Sequence, residues 1–323
     1  MKKIAVIIAA LVVVVGLGVW FAKDNTAAQP LRIGLNPWIG NGIFNVAQEK
    51  GIYEANGLKV VHTNYDDGAV GKQLFASGKI DVLVLTSETV ATLHDAGVKV
   101  KVVGSYDASL GADGIIAAEG INSLADLRGK KVAYEEGSPS HFFLALMLEK
   151  QGMSTKDVQT VNMIASDAGA AFVAGKVDAA VTWEPWLSKA SERKGGHVIA
   201  STKTSPILDI VIVREEVLQE RRAEIVALMR SIFATREYII TNPDESYAVI
   251  AKGLAISEQD VRDQIPTFRW MSLQDNAEVL TKGEYSAVNL LDKASTLWFD
   301  LGLTKTRLDA KSIVDTSIIE ELL

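Results

Sequence analysis

Phe75-Ala76-Ser77-Gly78-Lys79-Ile80-Asp81-Val82 is followed 97 residues later by a near copy, Phe172-Val173-Ala174-Gly175-Lys176-Val177-Asp178-Ala179. In each copy a glycine stands where a helix would end, and an aspartate opens an apolar run typical of a buried strand. The recurrence predicts that the chain contains the same helix-to-strand unit twice.

A second pair of matching segments supports the duplication. Arg32–Leu35, a turn and Phe44–Gly51 are matched by Lys131–Tyr134, a turn and Phe143–Gly152, about 99 residues further on. Because both pairs of segments have nearly the same offset, the duplicated unit extends over most of each half.

Each copy reads as strand, turn, helix, strand, helix, strand, and this alternation predicts an α/β fold with mostly parallel sheets flanked by helices. The predicted strands are 31–35, 58–62, 82–85, 100–104, 114–118, 131–134, 160–163, 179–182, 197–200 and 207–213. Beyond them, apolar residues at helical spacing predict helices over 225–240, 245–253, 258–265 and 287–301.

Composition narrows the class of function. A chain of 323 residues is long enough for two compact units. The net charge of −7 and the absence of any Lys/Arg-rich block argue against a nucleic-acid partner. The absence of cysteine excludes disulfides, thiolate metal sites and cysteine nucleophiles. We expect no metal, no cofactor and no enzymatic activity.

The N-terminus predicts export. Lys2 and Lys3 precede an apolar run over 4–22, which is followed by small and polar residues up to Ala28. This pattern is typical of a secretory signal over 1–28, although the run is long enough to be retained as a membrane anchor. In either case we expect the rest of the chain to lie outside the cytoplasm.

The candidate binding residues follow predicted strands, because ligands of open α/β sheets bind beyond the carboxyl ends of the strands. These candidates are Asn36, Trp38, Asn41, Thr86, Glu88, Asp107, Ser138, Ser140, His141, Trp183, Glu184 and Asp209. Asp113, near the same crossing as Asp107, is a weaker candidate.

Each candidate also has a structural interpretation. The Gly40-Asn41-Gly42 turn either admits an anion or is a plain turn, and Ser138 and Ser140 either meet a ligand or cap a helix. Trp183 and Glu184 either contact ligand or serve the core and a helix start. Asp209, inside an apolar strand, needs either a ligand amino group or a protein partner.

At these loops the sequence resembles the nitrate/sulfonate/taurine type of periplasmic solute-binding protein. The supporting strings are Leu35–Trp38, Gly51–Leu58, Gly137–Phe142, Trp183–Trp186 and Leu208-Asp209. The resemblance implies a bilobal class II periplasmic-binding-protein fold with two crossings between lobes. We place lobe one at 31–112 with 206–323, and lobe two at 113–205.

The resemblance also implies a small-molecule solute, and a membrane permease and ATPase of an ABC importer as partners; we expect a monomer. Amide-rich turns together with carboxylates suit a taurine- or sulfonate-like zwitterion. If Glu184, Asp209 and Asp107 all point inward, a small cation such as a guanidine fits better than nitrate. The alternatives are an enzyme of the thiamine-pyrimidine type on the same fold, and a membrane-anchored sensory domain.

Overall fold

The computed structural model describes residues 29–323, so the predicted signal or anchor lies outside the described residues. The strands are β1 Leu31–Leu35, β2 Val60–Asn64, β3 Val82–Thr86, β4 Val100–Ser109, β5 Asp113–Ala117, β6 Lys131–Tyr134, β7 Gln159–Asn162, β8 Ala179–Trp183, β9 His197–Ser201, β10 Ile207–Arg214 and β11 Phe268–Trp270.

Helices cover most of the remaining chain. Their bounds are Gly42–Glu49, Ile52–Ala55, Gly68–Ala76, Val90–Asp95, Pro139–Glu149, Ala165–Val173, Glu215–Glu220, Arg222–Thr241, Pro243–Leu254, Glu258–Gln264, Leu273–Val279, Ala287–Asp300, Ala310–Ile313 and Ser317–Leu322. Across 29–323 none of them combines the length and the apolarity that a membrane crossing requires.

The strands form two sheets. The six-stranded sheet has the order β11-β4-β10-β3-β1-β2, and the five-stranded sheet has the order β7-β6-β8-β5-β9. In the first sheet β1, β2 and β3 are parallel and β10 is antiparallel to its neighbours; in the second, β5 is the antiparallel strand. The predicted α/β class is therefore confirmed, and both sheets are mixed, since every pairing that involves β5, β10 or β11 is antiparallel.

The chain passes between the sheets twice. It leaves the six-stranded sheet after β4 and enters the five-stranded sheet at β5, and it returns between β9 and β10. The strand that enters each sheet after a crossing is the antiparallel one. The two sheets thus share one order of strands, and in each sheet the chain forms the antiparallel strand directly after it crosses from the other sheet.

The sequence repeat has the same structure in both sheets. Phe75 and Phe172 are fully buried, and Gly78 and Gly175 end their helices with φ of 73° and 72°, a left-handed conformation that favours glycine. The aspartates then tie two strands together: Asp81 accepts the Arg32 backbone N–H at 3.0 Å, and Asp178 accepts that of Lys131 at 2.8 Å.

One strand was missing from the prediction. β11 is only three residues long, and it pairs antiparallel with the last residues of β4 at the edge of the first sheet. Its sequence lies between helices and carries no alternation of its own. Trp270 is nevertheless buried, and its indole Nε1–H donates to the Gly40 carbonyl at 2.8 Å.

Candidate functional site

A cavity of about 220 Å³ lies between the two sheets. Trp38 from the six-stranded side and Trp183 from the five-stranded side both line it, as do the helix starts at Gly68 and Pro139. Six of the predicted binding residues line this cavity: Asn36, Trp38, Thr86, Ser138, Trp183 and Asp209. The sequence therefore located the cavity, although it also named residues that lie behind it.

Two aspartates occupy equivalent positions on opposite sides of the cavity. Asp209 in β10 pairs with Thr86, the last residue of β3, and Asp113 in β5 pairs with Trp183, the last residue of β8. Because β3 and β8 belong to the two copies of the repeat, each sheet presents one carboxyl from its antiparallel strand. Asp209 is 6% exposed and Asp113 is half-buried, and both line the cavity.

Asp107 lies directly behind Asp209. It is opposite Asp209 in the β4–β10 ladder, is fully buried, and does not line the cavity. Trp38 Nε1–H donates to Asp107 Oδ2 at 2.9 Å, so this tryptophan both lines the cavity and holds the carboxyl behind it. A cation in the cavity would contact Asp209 directly, whereas Asp107 would act on it only through Asp209.

Glu88 is a second buried acid behind the cavity wall. It is 1% exposed, and its carboxylate accepts hydrogen bonds from Thr86 and Thr89, which themselves line the cavity. The carbonyl of Glu88 accepts the Trp298 Nε1–H at 3.1 Å. Glu88 therefore accepts the protons of two threonine hydroxyls in the cavity wall and does not itself line the cavity.

Burial raises the pKa of all four carboxyls, because a charged group loses solvation inside the protein. It raises the pKa of Glu88 and Asp107 to about 7 and that of Asp113 to about 6. For Asp209, burial and then the charge of Asp107 raise the pKa well above its usual range. Burial therefore favours the protonated form of each acid, whereas a positive charge in the cavity would favour the ionised form.

The cavity as a whole is acidic. Among the described residues that line it, six are acidic and one, Lys72, is basic; the acids are Asp66, Asp67, Asp113, Glu135, Glu136 and Asp209. Burial lowers the pKa of Lys72, while the charges of Glu135, Glu88 and Asp67 work to raise it. Such a surface attracts cations and opposes a bare anion.

Asn41 supports the site from behind. It is 1% exposed, does not line the cavity, and donates through Nδ2 to the carbonyl of Asn36 at 2.9 Å and to its side-chain Oδ1 at 2.6 Å. The Gly40-Asn41-Gly42 turn is part of a 3-10 helix over Ile39–Asn41 that leads into helix Gly42–Glu49. Asn41 thus fixes Asn36, which does line the cavity.

In the second predicted turn, over 137–141, one candidate residue lines the cavity and two others support it from behind. Ser138 lines the cavity, donates to the Glu135 carbonyl at 2.7 Å and caps helix Pro139–Glu149 through the His141 N–H at 3.5 Å. Ser140 and His141 are buried behind it. The His141 ring lies 5.0 Å from both Tyr134 and Trp298, and burial lowers its pKa to about 4, so it is neutral.

Of the two tryptophans at 183 and 186, Trp183 faces the cavity. Trp186 packs over Gly169, where an added Cβ would lie 2.4 Å from the indole. Glu184 does not line the cavity: its carboxylate accepts the Ser188 N–H and Oγ–H, both at 3.0 Å. Glu184, a candidate binding residue, thus lies outside the cavity lining, because a local turn uses its charge.

Two groups of lining residues were missing from the prediction. Residues 65–69 follow β2 and residues 164–166 follow β7, and both segments line the cavity. They occupy equivalent places in the two copies, so the rule that ligands meet strand ends, applied to every strand, would have found them. Asp113 was only a weak candidate, because its equivalence to Asp209 depends on strand pairing.

The comparisons with known proteins agree with this architecture. Residues 41–246 match the family described as NMT1/THI5 like. A Brucella abortus protein named as a binding protein is 26% identical over 288 residues, covering 87% of this chain and 89% of its own. The taurine-binding periplasmic protein of Escherichia coli is 24% identical over 237 residues, covering 70% and 73%.

Solved structures establish the fold. The periplasmic aliphatic sulphonate binding protein SsuA from Escherichia coli superimposes with a TM-score of 0.75 at 22% identity, covering 91% of this chain and all of its own. The desulfurization enzyme DSZB has a TM-score of 0.64 at 14% identity. The chain thus has the periplasmic-binding-protein fold, which binding proteins and an enzyme share. Since the family match spans well over half of its length, the chain belongs to the NMT1/THI5-like family.

Proposed function

We propose that the protein is the solute-binding component of an ABC importer and works outside the cytoplasm. The names of the relatives support this role, since they include binding and periplasmic binding proteins. The partners would then be a membrane permease and its ATPase, with the protein acting as a monomer. The lobes would be 31–112 with 206–323, and 113–205, closing on the solute from either side of the cavity.

We further propose that the solute is a small molecule with a cationic nitrogen group, such as an amine or a guanidine. One observation carries this proposal: Asp113 and Asp209 face the same cavity from opposite sheets at equivalent positions. A buried carboxylate is costly unless a positive group or several donors compensate it. A cation between the two aspartates would supply that compensation on both sides.

Other features of the cavity favour an organic cation. Trp38 and Trp183 offer aromatic faces, which attract cations and cover apolar surface. Within residues 29–323, no three His, Asp or Glu side chains are grouped as metal ligands are. Lys72 could receive an anionic end, so a zwitterion also fits, whereas a sulfonate without an amine lacks partners for the aspartates.

Binding without chemical change is part of the proposal. The chain has no cysteine, and its one histidine near the cavity is buried, neutral and behind the wall. Mass spectrometry of solute recovered after incubation should show an unchanged mass. A product of different mass would favour the enzymatic alternative.

A ligand panel tests the solute class. Native mass spectrometry of freshly purified protein looks for retained solute, and thermal shift and tryptophan fluorescence are measured with guanidinium, methylammonium, taurine, methanesulfonate, nitrate and an aminopyrimidine. A ligand at 100 times its Kd stabilises the folded state by about 2.7 kcal/mol. Cationic probes should raise the melting temperature, and a response to methanesulfonate or nitrate alone would refute the proposed class.

Replacement of one aspartate tests the site. Asp209→Asn keeps the shape but removes the charge, so affinity for a cationic probe should fall at least about 30-fold, equivalent to about 2 kcal/mol. The matched control is Asp292→Asn, which removes the same charge from an exposed position on helix Ala287–Asp300. Equal affinity in Asp209→Asn and the control would remove Asp209 from the site.

A further inference from the structure

The two acids at the β4–β10 ladder are close enough to share a hydrogen bond. Asp107 and Asp209 are both buried and directly opposed in the ladder, so their carboxyl groups are cross-strand neighbours on one face of the sheet. Ionised carboxylates only accept hydrogen bonds, so a bond between two of them requires that one carries a proton. A proton shared between the two buried carboxyls would relieve their mutual repulsion and leave the pair with a single negative charge.

Few donors or positive charges surround the two carboxyls, so the shared proton is the main group that compensates their negative charge. Trp38 Nε1–H donates to Asp107 Oδ2, and Asp107 Oδ1 has no protein donor within the described chain. The residue of β11 opposite Asp107 is the uncharged Trp270. The titratable groups that face the pair are acidic or phenolic, apart from the cavity lysine: Glu88, Asp113, Tyr65, Tyr106 and Lys72.

The buried carboxyl of Asp107 occupies a space that depends on glycine at position 40. A Cβ added to Gly40 would lie 1.6 Å from Asp107 Oδ2 and 2.4 Å from Trp38 Nε1. Only a residue without a side chain can therefore stand at position 40 while the indole reaches the carboxyl. The chain thus accommodates a second acid directly behind the one that lines the cavity.

We propose that the cationic group of the solute displaces the proton shared by Asp107 and Asp209, so that binding releases a proton. This inference rests on the proposed function, since it takes the solute to be a cation. Asp209 meets the cationic group in the cavity, and Asp107, which does not reach the cavity, acts through Asp209 as a positioning residue. The second sheet differs at the equivalent place, because Asp113 has the neutral Thr202 beside it.

Proton exchange makes affinity depend on pH in one direction. A solute that displaces one proton binds more tightly as pH rises, by up to about tenfold for each pH unit below the pKa of the pair. Affinity should level off above that pKa, which burial and the charge of Asp107 raise well above the usual range of a carboxyl. Since the pKa of Asp113 is raised to about 6, it adds to the slope at lower pH, and variants must separate the two contributions.

The unliganded protein tests the first half of the inference. Infrared difference spectra between the wild type and Asp107→Asn, at pH 6, should show the carbonyl stretch of a protonated carboxyl that the variant lacks. In Asp107→Asn the amide donates to Asp209, which can then ionise. Two ionised carboxylates in the wild type at pH 6 would overturn the inference without any ligand.

Calorimetry tests the second half. Guanidinium and methylammonium are titrated at pH 6 in two buffers of different ionisation enthalpy, which gives the protons released per molecule bound. We expect the wild type to release nearly one proton more than Asp107→Asn, with a correspondingly steeper dependence of affinity on pH. Cation binding with equal release in both proteins refutes the exchange but leaves the proposed function intact. Failure of every cation to bind refutes the proposed function, and the exchange with it.

A second variant covers the case in which Asp107→Asn fails to fold. Trp38→Phe keeps both acids but removes the donor to Asp107, which should raise the pKa of the pair because that hydrogen bond favours the ionised form. The pH at which affinity levels off should therefore move upward. An unshifted pH profile in this variant would contradict the shared proton.

Discussion

The protein buries four acids, although burial of a charged carboxylate costs solvation free energy: Glu88, Asp107, Asp113 and Asp209. Burial raises the pKa of each, so the folded protein without solute disfavours their ionised forms. Neither arginine nor histidine lines the cavity within the described chain. Such an arrangement lowers stability in the empty state and is best explained by a positive charge that the protein receives from outside.

Gly40 is the residue whose replacement tests this packing most directly. In Gly40→Ala the new methyl group collides with Asp107 and with the indole of Trp38, so we expect a loss of about 1–3 kcal/mol in the free energy of unfolding. Solute affinity should fall as well, because the indole forms part of the cavity wall. Urea unfolding with calorimetric titration measures both effects.

Gly68→Ala is the matched control for stability, since an added Cβ there has nothing within 4 Å and the backbone needs no positive φ. Equal unfolding free energies for the two variants would show that Asp107 can move aside at no cost.

At the level of single residues, the sequence identified Asp209 as a cavity acid, but it gave Asp113 little weight because the position of Asp113 depends on strand pairing. Asp209 stands out because it interrupts an apolar strand. Asp113 stands at a strand start, where aspartate is common, and its facing position follows only from the pairing of β5 with β8. Glu184 looked equivalent from its place after β8, but Ser188 binds its carboxylate.

Among the elements, the repeated helix-to-strand unit explains why the strands were predictable. Three residues that recur in the octapeptide have a structural use: a buried phenylalanine, a left-handed glycine and an aspartate that binds the first strand. β11 could not be predicted, because a three-residue edge strand depends on the neighbour with which it pairs.

The two copies of the aspartate should differ in their contribution to stability. Asp81 is 3% exposed and forms ion pairs with Arg32, Arg214 and Arg221, whereas Asp178 accepts only a backbone N–H. Asp81→Asn should cost about 2–3 kcal/mol, because it removes a buried carboxylate that pairs with three arginines, two of which keep Glu216 or Glu224 as a second partner. Asp178→Asn, its counterpart in the repeat, should cost about 1 kcal/mol.

Urea unfolding at pH 7 measures both variants. The difference between the costs of the two substitutions should become smaller at acidic pH. Burial alone would raise the pKa of Asp81, but hydrogen bonds and charge from Arg32 lower it below its usual value. Stability from a lowered pKa is lost as pH falls through that value. Equal costs at pH 7 would mean that the three arginines are already satisfied by solvent.

For the whole molecule, the buried acids of the cavity impose the opposite pH dependence. A carboxyl with a raised pKa contributes stability below its unfolded value near 3.8, and this contribution is lost as pH rises through the folded value. For Asp113 and Asp107 that window ends at about 6 and about 7. Without solute, the protein should therefore lose stability between pH 5 and pH 8.

Thermal unfolding of the wild type and of Asp209→Asn across this range measures the effect. The variant should gain stability relative to the wild type as pH rises, because it has one buried acid fewer to ionise. A constant difference between the two proteins from pH 5 to pH 8 would contradict the raised pKa values.

The two crossings also fix the order in which the molecule can be completed. β10 lies between β3 and β4 in the first sheet, yet it is made only after the whole of the second sheet. Until residue 214 has been synthesised, the first sheet has a gap at its centre, with the edges of β3 and β4 open to mispairing. The second sheet, by contrast, is continuous in the chain from β5 to β9 and can close first. The six-stranded sheet thus begins earlier in the chain but is completed later, and a nascent chain stalled near residue 205 would leave the edges of β3 and β4 unpaired.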